Sequence, residues 1–312
     1  MTVKPRITEN AAWTGARPVL SVLMPFLRDD PRDLLQLLDR EAASLGRSVE
    51  IVVLDDGTGD IALTGGLIDV ITHMSLPVRL ITLAKNEGRS VGRNRLAAAA
   101  RGGSLLFLDS DMRPDAFHFL GPWADLVKAQ DPAVAFGGFS LLQAPTDGKF
   151  AVHRAMAVKS DCLPHDVRAL TPEKYVYTSN LLVRRDVFEA EAFDSAFTGW
   201  GWEDVEWAMR VSRRWPVIHI DNPATHMGLD TTASLAGKYE QSAANFARVV
   251  AKHPDIVSGY PSFRVAKKLK RLPMLKTVRP MIKQAALTDW LPVKARAFSL
   301  RLYRAALYAE AV

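Results

Sequence analysis

Four apolar segments of strand length, each followed by polar or acidic residues, constrain the fold of this chain most strongly. They are PVLSVLMPF, VEIVVLDDG, VRLITLAKNEG and SLLFLDSD, beginning at residues 18, 49, 78 and 104. DPRDLLQLLDREAASLG lies between the first two and VGRNRLAAAARGG between the last two, both with helical spacing of apolar residues. Apolar strands separated by helices predict a parallel sheet covered on both faces. Right-handed crossovers then give a doubly wound α/β layout.

Acidic residues follow two of these strands: Asp55 and Asp56, then Asp109 and Asp111. In open α/β sheets, ligands bind at the carboxyl ends of the strands. Asp109 and Asp111 are two residues apart, so their carboxylates point the same way and suit a shared Mg²⁺ or Mn²⁺. The alternative is that Asp-Gly pairs only make turns. Two acidic strand ends so close in sequence favour a binding site.

The segment NEGRSVGRNRL lies just before the alanine-rich helix and supplies Asn86, Arg89 and Arg93. Arginine pairs with phosphate oxygens through two hydrogen bonds, and glycine allows close backbone approach. This predicts a phosphate contact, and the alternative is a solvated helix start. The segment is not a P-loop, because G-x-x-x-x-G-K-[ST] is absent.

The segment FTGWGWEDVEW, residues 197–207, combines tryptophans, glycines and carboxylates at the start of a predicted helix. Indole faces pack well on sugar rings, so Trp200 and Trp202 are candidate sugar platforms. The alternative is that both belong to the core, which is the interpretation preferred for Trp207. A carboxylate here could act as a general base toward a hydroxyl group. The second half also contains three strand-like segments, AVAFGGFSLL, YVYTSNLLVRRDVFE and PVIHIDNPATHMG, and we expect His219 to be packed.

The basic residues are concentrated in the C-terminal tail. Residues 260–312 contain twelve Lys or Arg and two acids, whereas the whole chain carries only +6, so the rest is net negative. This argues against nucleic-acid binding by the whole protein. Because basic and apolar residues alternate in the tail, it is expected either to lie on an anionic membrane surface or to pack on the body or an oligomer partner.

The single cysteine, Cys162, excludes an intramolecular disulfide and a cysteine-based zinc site. No apolar run approaches the roughly 20 residues that span a bilayer. The N-terminus also lacks the apolar segment of a secretory signal. We therefore expect a cytoplasmic protein, peripheral on the inner face of the cell membrane if the tail binds lipid.

Taken in order, SVLMPF, VVLDDG, NEGRSVGRNRL and LLFLDSDMRPD resemble family 2 glycosyltransferases. FTGWGWEDVEW is similar to the Trp-Gly-(Gly/Trp)-Glu-Asp segment of galactosyltransferase-like and chondroitin-polymerase-like members. The resemblance implies the GT-A fold, a Rossmann-like α/β fold of nucleotide-diphospho-sugar transferases. It implies an N-terminal extension (1–18), a GT-A domain (19–230) with nucleotide-binding (19–115) and acceptor-binding (116–230) halves, and a helical basic extension (231–312).

The resemblance also implies roles for individual residues. It implies Asp204 as the catalytic base and Glu203, Trp200 and Trp202 as acceptor-binding residues. The implied nucleotide-binding residues are Pro25, Phe26, Asp56, Asn86, Arg93 and Asp109. The implied ligands of Mn²⁺ or Mg²⁺ are Asp111, Asp109 and His226. Tyr177 to Asn180 are expected near the donor sugar.

The expected function is inverting transfer from a nucleotide-sugar, with UDP favoured by Asp56, to a saccharide or lipid-linked acceptor in surface polysaccharide synthesis. Two departures from the family pattern affect substrate recognition: Phe26 cannot hydrogen-bond a base, and Trp202 replaces a usual glycine. The alternatives are a sugar-phosphate nucleotidyltransferase and a non-catalytic carbohydrate-binding or scaffold protein. The first would need a Gly-rich basic loop after the first strand, and PFLRDDPRD does not provide one.

Overall fold

The computed structural model describes residues 4–312 and confirms the predicted α/β organisation. Its strands are β1 (Arg6–Glu9), β2 (Leu20–Phe26), β3 (Val49–Asp55), β4 (Val78–Thr82), β5 (Ser104–Leu108), β6 (Met112–Pro114), β7 (Val134–Phe136), β8 (Phe139–Ser140), β9 (Asn180–Arg184), β10 (Val217–His219) and β11 (Ala224–His226).

The helices divide into those of the sheet-containing body and those of the C-terminal extension. In the body they are α1 (Arg32–Asp39), α2 (Ala42–Leu45), α3 (Ile61–His73), α4 (Arg89–Ala99), α5 (Leu120–Gln130), α6 (Ala151–Ser160), α7 (His165–Arg168), α8 (Arg185–Ala190) and α9 (Glu203–Val211). In the extension they are α10 (Thr232–Lys252), α11 (Pro254–Val257), α12 (Pro261–Leu269), α13 (Leu275–Leu287) and α14 (Val293–Ala311). Short 3₁₀ helices cover Ala11–Trp13, Gly148–Phe150 and Pro172–Tyr175.

The main sheet is mixed, with strand order β1-β4-β3-β2-β5-β9-β7-β10. The four strands found from the sequence, β2 to β5, are parallel to one another as predicted. β9 is antiparallel to both of its neighbours, β5 and β7. The carboxyl ends of β2, β3, β4 and β5 therefore meet along one edge, which brings their acidic turns together.

Side chains alternate between the two faces of the sheet, so each central strand contributes to two cores. Val22 and Met24 pack toward α1, α3 and α5, whereas Leu23 packs toward α4, α8 and α9. Each fully buried side chain of this size contributes about 1.5–3 kcal/mol of transfer free energy. Burial on both faces of the sheet explains why these strands are apolar along most of their length.

The segment predicted as an N-terminal extension is part of the sheet. β1 pairs antiparallel with β4, with Arg6 opposite Thr82. Trp13 is buried, and the Arg101 guanidinium lies 3.7 Å from its ring centroid. The described part of the predicted N-terminal extension therefore covers the edge of β4, which would otherwise present unpaired backbone groups.

A second, three-stranded sheet with order β6-β11-β8 lies beside the main one. Its register places His226 opposite Met112, the residue after Asp111. The predicted single strand AVAFGGFSLL is in fact two strands, β7 and β8, in different sheets, because the chain turns at Gly137 and Gly138. The loop predicted after β10 likewise contains β11.

The helical C-terminal extension is confirmed, and it packs on the body. A third hydrophobic core joins α6, α9 and α10 to the later helices, with Phe246 and Leu300 fully buried. The opposite surface exposes large apolar side chains, notably Trp290 (84%), Met281 (70%) and Phe298 (66%). Within residues 4–312, no helix combines the length and the apolar character needed to cross a bilayer.

Candidate functional site

The first acidic pair of the site follows β5 and is held by two different cationic partners. Arg93 donates from Nη2 to Oδ1 of Asp109 at 2.7 Å. The His226 Nε2 atom lies 3.1 Å from Oδ2 of Asp111. The two carboxylates therefore do not share one ligand: the buried guanidinium of Arg93 takes Asp109, and the imidazole takes Asp111.

Electrostatics couples Asp111 to His226. Burial alone would raise the pKa of Asp111, but the hydrogen bond and charge of His226 outweigh it and lower that pKa. Burial alone would lower the pKa of His226, and the Asp111 carboxylate reverses this and raises it. The result favours a charged carboxylate and a protonated imidazole in the ligand-free site.

Gly228 leaves the space that the Asp111 carboxylate occupies. A Cβ atom at this position would lie 2.1 Å from Asp111 Oδ2, so any side chain would displace the carboxylate. The backbone N–H of Met227 also donates to the Asp111 carbonyl at 2.8 Å. The residues after β11 thus leave space for the Asp111 carboxylate and bind its backbone carbonyl.

The residues present fit a divalent cation in part. An aspartate oxygen and an imidazole nitrogen form a donor set that suits Mn²⁺. In the chain from residue 4 onward, no three His, Cys, Asp or Glu side chains are grouped as a ready metal site. Of the predicted ligands, Asp109 is the counter-ion of Arg93, whereas Asp111 and His226 contact each other. Their role as metal ligands stays a prediction.

The predicted nucleotide-binding residues divide into anchors and surface groups. Both carboxylate oxygens of Asp56 accept backbone N–H bonds, from Glu87 at 2.8 Å and from Gly88 at 3.1 Å. Burial raises the pKa of Asp56 although these hydrogen bonds oppose the shift. Asp56 therefore fixes the loop that leads into α4, and Asn86 is exposed on this loop.

Phe26 and Pro25 end β2 and have different surroundings. Phe26 is only 3% exposed and belongs to the core beneath the sheet, whereas Pro25 is half-buried. The Phe26 ring thus packs inward, and its predicted contact with a nucleotide stays a prediction. Along β2, burial alternates in direction, and that alternation sends residue 26 to the same side as Met24.

Arg93 lies between the first acidic pair and the second, Glu203 and Asp204. It is 2% exposed, and its Nη1 atom is 3.6 Å from Glu203 Oε1. Nε and Nη1 are buried and make no hydrogen bond to any described residue. Arg89 lies 3.8 Å from the same oxygen of Glu203. Burial opposes the charge on Arg93, but Asp109 and Glu203 raise its pKa, so the guanidinium stays charged.

Asp204 is the carboxylate of the site without a close cation. Its only hydrogen bond among the described residues comes from the backbone N–H of Val205, at 2.8 Å. Burial and the neighbouring Glu203 carboxylate raise the pKa of Asp204 to about 7. A carboxylate of this kind can accept a proton near neutral pH. Perturbation by burial plus a specific charge is typical of functional sites.

Residues 198–204, which we call the acidic turn, have an unusual backbone. Gly199, Gly201 and Trp202 all lie in the left-handed region, with φ of 72°, 87° and 77°. The two glycines adopt this conformation freely. Trp202 has a side chain, and such a conformation costs it about 1–3 kcal/mol. Surrounding contacts must therefore stabilise the turn.

The three tryptophans of the segment have three different environments. Trp207 is confirmed as a core residue: it is fully buried and donates from Nε1 to the Glu191 carbonyl. Trp202 is half-buried and donates from Nε1 to the Tyr308 hydroxyl at 2.9 Å. Its ring packs 5.0 Å from that of Phe246. Trp202 therefore packs on the helical extension, and its predicted contact with an acceptor stays a prediction.

Trp200 is half-buried, with its ring centroid 6.0 Å from that of Tyr239. The Lys238 ammonium lies 5.8 Å from the Trp200 ring centroid. Of the two predicted platforms, Trp200 is thus the one without a hydrogen-bonded anchor in the described chain.

Tyr177 to Asn180 serve mainly as structure. The Tyr177 ring packs on Phe136 and Phe139, with centroids 5.6 and 5.4 Å away. Asn180 is fully buried and donates to two backbone carbonyls. His219 is confirmed as packed: it is buried and hydrogen-bonded to Arg168 at 3.1 Å.

The structure adds residues that the sequence reasoning did not single out. Asp29 is close enough for Asp111 to affect it: desolvation and the Asp111 charge raise the pKa of Asp29. Lys238, which pairs with Asp230 at 2.6 Å, lies on α10. No local signal marks it, because the extension is far from the site in sequence.

Comparisons with known proteins identify the family and the fold. Residues 21–190 match the model of the family described as "Glycosyl transferase family 2". A segment of 99 residues is 36% identical to the succinoglycan biosynthesis protein ExoO of Rhizobium meliloti (strain 1021). That alignment spans 31% of this chain and 27% of ExoO, so most of the length of this relative is not matched.

Solved structures show the same fold at low identity. A mannosyltransferase from Pyrobaculum calidifontis, PcManGT, solved with GDP-Man and Mn²⁺, superposes with a TM-score of 0.55 at 15% identity. It covers 95% of this chain and 87% of that one. S. aureus TarS 1-349 superposes with a TM-score of 0.52 at 14% identity, covering 94% and 89%. With the family match over more than half of the chain, these findings show a GT-A glycosyltransferase fold. The chain belongs to glycosyl transferase family 2.

Proposed function

We propose that this glycosyltransferase is an inverting, divalent-metal-dependent enzyme that moves a sugar from a nucleotide-sugar to a hydroxyl group of a saccharide or lipid-linked acceptor. The observation that carries the proposal is the contrast within the site. Asp204, whose pKa burial and the Glu203 carboxylate raise to about 7, follows Glu203, which lies 3.8 and 3.6 Å from Arg89 and Arg93. Arg93 in turn binds Asp109, two residues before Asp111, which pairs with His226. A proton acceptor next to a cationic, metal-suited pocket is the arrangement that sugar transfer to a hydroxyl requires.

The reaction needs one proton acceptor. As the acceptor oxygen attacks the anomeric carbon, Asp204 takes the hydroxyl proton and the bond from that carbon to the diphosphate oxygen breaks. The electron pair of the broken bond leaves with the nucleoside diphosphate. Because one displacement occurs on the face opposite the leaving group, the configuration at the anomeric carbon inverts.

Arg93 and Arg89 supply the positive charge near the leaving group. Two nitrogens of Arg93 are buried without a hydrogen-bond acceptor among the described residues, so phosphate oxygens would satisfy them. Preformed charges in a site with little water stabilise the developing diphosphate charge. Asp111 and His226 would hold Mn²⁺ or Mg²⁺, which when bound offsets further charge on the diphosphate.

Other predicted residues take supporting positions in the proposal. Glu203, held by the two arginines, orients acceptor hydroxyls, and Trp200 offers an apolar face to the acceptor ring. Asp56 and Asn86 lie at the loop where the base would bind, with Pro25 beside them. We assign residues 19–115 to the donor side and 116–230 to the acceptor side.

The relatives support the donor class and the pathway. PcManGT is described with GDP-Man and Mn²⁺, and ExoO as a succinoglycan biosynthesis protein. We propose a nucleotide-diphospho-sugar donor and a role in surface polysaccharide synthesis. The UDP preference depends on Asp56, whose carboxylate has remaining lone pairs to accept from a uracil N–H.

A donor screen tests this function directly. The purified chain is incubated with UDP- and GDP-sugars and Mn²⁺, and released nucleoside diphosphate is measured with and without saccharide acceptors. The anomeric configuration of the product is then determined by NMR. We expect Mn²⁺-dependent release and an inverted product. Pyrophosphate release from a sugar phosphate would instead indicate a nucleotidyltransferase, and binding without turnover a carbohydrate-binding protein.

We also propose that the outer surface of the helical extension binds anionic membranes. Met274, Val278 and Met281 recur at helical spacing and are exposed, and Trp290 and Phe298 are exposed nearby in sequence. Exposed basic residues accompany them on the same helices and loops: Lys267, Lys268, Lys270, Arg271, Lys276 and Lys294. Exposed apolar groups among cations favour an anionic lipid surface. A lipid-linked acceptor would be found at such a surface.

Vesicle sedimentation tests the membrane proposal. A variant with Met281, Trp290 and Phe298 changed to Ser should lose binding to vesicles that contain anionic lipid. A matched control changes three equally exposed apolar residues of the body, Ile61, Leu142 and Leu170, to Ser. The control should bind like the unmodified chain. Equal loss in both variants, or no loss in the first, would exclude this surface as the membrane contact.

A further inference from the structure

The helical extension holds the acidic turn by side-chain hydrogen bonds from two helices. On α10, the Asn245 amide donates to the carbonyls of Thr198 and Gly201, both at 2.9 Å. Asn245 is buried, so these bonds are shielded from water. Both ends of the Gly199–Gly201 stretch are therefore fixed by one side chain.

On α14, Tyr308 holds the next residue of the turn. Its hydroxyl accepts from Trp202 Nε1 at 2.9 Å and lies 3.0 Å from the Ser242 hydroxyl on α10. The Tyr308 ring stacks on Phe246, with centroids 4.2 Å apart and planes at 17°. Ser242 is fully buried and Tyr308 nearly so. Trp202 is thus tied to both helices at once.

Glu203 and Asp204 follow Trp202 directly and begin α9. The direction of their side chains depends on the left-handed backbone at 201 and 202, which glycine does not enforce by itself. The contacts from α10 and α14 select this conformation. They lie outside residues 21–190, the part that matches the family model, so they are features of this chain's own C-terminal half.

We propose that Asn245 and Tyr308 are positioning residues for the transfer reaction: they hold the acidic turn so that Asp204 meets the acceptor hydroxyl. The extension is then part of the catalytic unit in addition to any membrane contact. This inference rests on the proposed role of Asp204 as the base. A misplacement of about 1 Å can lower turnover on the order of 100-fold, so a change in these supports should be measurable.

The test compares two tyrosines on the same helix. Tyr308→Phe removes the hydroxyl that Trp202 and Ser242 contact but keeps the ring on Phe246. Tyr303→Phe is the matched control: Tyr303 is equally buried, and its hydroxyl donates to Glu240 on α10 at 2.5 Å, away from the acidic turn. Both variants remove one buried hydroxyl between α14 and α10. Only the first removes a support of the turn.

We expect Tyr308→Phe to lower kcat about 10- to 100-fold with the KM for the donor unchanged, and Tyr303→Phe to leave both values near those of the unmodified chain. Asn245→Ala should resemble Tyr308→Phe. The thermal midpoints of the two tyrosine variants should be similar. If Tyr308→Phe does not fold, Ser242→Ala removes the second partner of the hydroxyl with a smaller change and is expected to lower kcat in the same direction.

A double variant separates positioning from general destabilisation. In the Asp204→Asn background, Tyr308→Phe should have no further effect on the residual rate, because the residue that it positions is already inactive. Additive effects of the two changes, or equal losses in Tyr308→Phe and Tyr303→Phe, would overturn the inference. If Asp204→Asn alone keeps full turnover, the proposed base is wrong instead, so the two failures are distinguishable.

Discussion

The two acidic pairs of the site contain similar residues but have opposite electrostatic settings. Asp109 and Asp111 each have a cationic partner within 3.1 Å. In the second pair, Glu203 lies near two arginines, whereas Asp204 has a raised pKa of about 7 and no close cation. The difference shows that neighbours, and not the carboxylates themselves, decide which acid binds positive charge and which can take a proton.

The largest expected effect is on the unpartnered acid. Asp204→Asn keeps the shape of the side chain and removes the proton acceptor, so kcat should fall about 10²- to 10⁴-fold. Steady-state transfer assays measure it. Asp186→Asn changes an exposed aspartate on α8 and serves as the control, with no effect expected. Full turnover in Asp204→Asn would show that Asp204 is not the proton acceptor, so the two acidic pairs would not differ in this function.

The next effect separates the members of the first pair. Asp111→Asn should raise the Mn²⁺ concentration that gives half-maximal activity by at least about 10- to 100-fold. This is the loss in metal affinity or activity that is typical when a residue that only supports a metal ligand is changed, so the loss of a direct ligand should be no smaller. Asp109→Asn leaves the buried Arg93 without its carboxylate, so it should lower the free energy of unfolding by about 1–3 kcal/mol. Mn²⁺ titrations and denaturant unfolding measure the two quantities. The same Mn²⁺ shift in both variants would mean that Asp109 and Asp111 share the cation.

The pH dependence sharpens the contrast further. If Asp204 must be ionised to act, kcat should rise as pH increases and level off above about 7, the pKa of this carboxyl group. The Glu203 carboxylate is one cause of the raised pKa, so Glu203→Gln should move this limb to lower pH. A pH–rate profile of each enzyme measures the shift. An unmoved or upward-moved limb would contradict the coupling.

The smallest effect concerns how the second pair is held. Trp202→Phe keeps an aromatic ring beside Phe246 but loses the bond to Tyr308, which should cost about 0.5–1.5 kcal/mol of unfolding free energy. Denaturant unfolding measures the change, with Trp215→Phe, just beyond the C-terminal end of α9, as a comparison. A loss confined to Trp202→Phe would show that the acidic turn depends on the extension.

The sequence was sufficient for the parts of the molecule that depend on local pattern. Strands such as SVLMPF and SLLFLDSD alternate between two cores, and their acidic ends meet where a parallel sheet requires. It was insufficient where partners are distant in the chain. Arg93 meets Asp109 and Glu203 only through the fold, and the motif does not show that the Phe26 ring packs inward.

The short strands and the individual contacts of the helical extension were not predicted, although the extension itself was. β8 has two residues and β11 three, too few for a periodic pattern, yet β11 brings His226 to Asp111. Tyr308 lies more than 100 positions from Trp202, and its amphipathic helix gives no sign of which contact it makes. Packing of the tail on the body was one of the two expected arrangements, but its composition does not show which side chains make the contacts.

The left-handed backbone at Trp202 has an evolutionary consequence. A glycine at this position would relieve the backbone strain at once, but it would leave the Tyr308 hydroxyl with Ser242 alone. A substitution of Trp202 or Tyr308 alone is therefore expected to be unfavourable while the other residue is retained. Among relatives that retain a C-terminal helix in this place, positions 202 and 308 should change together, so that a tryptophan accompanies a tyrosine and a glycine accompanies a residue without the hydroxyl.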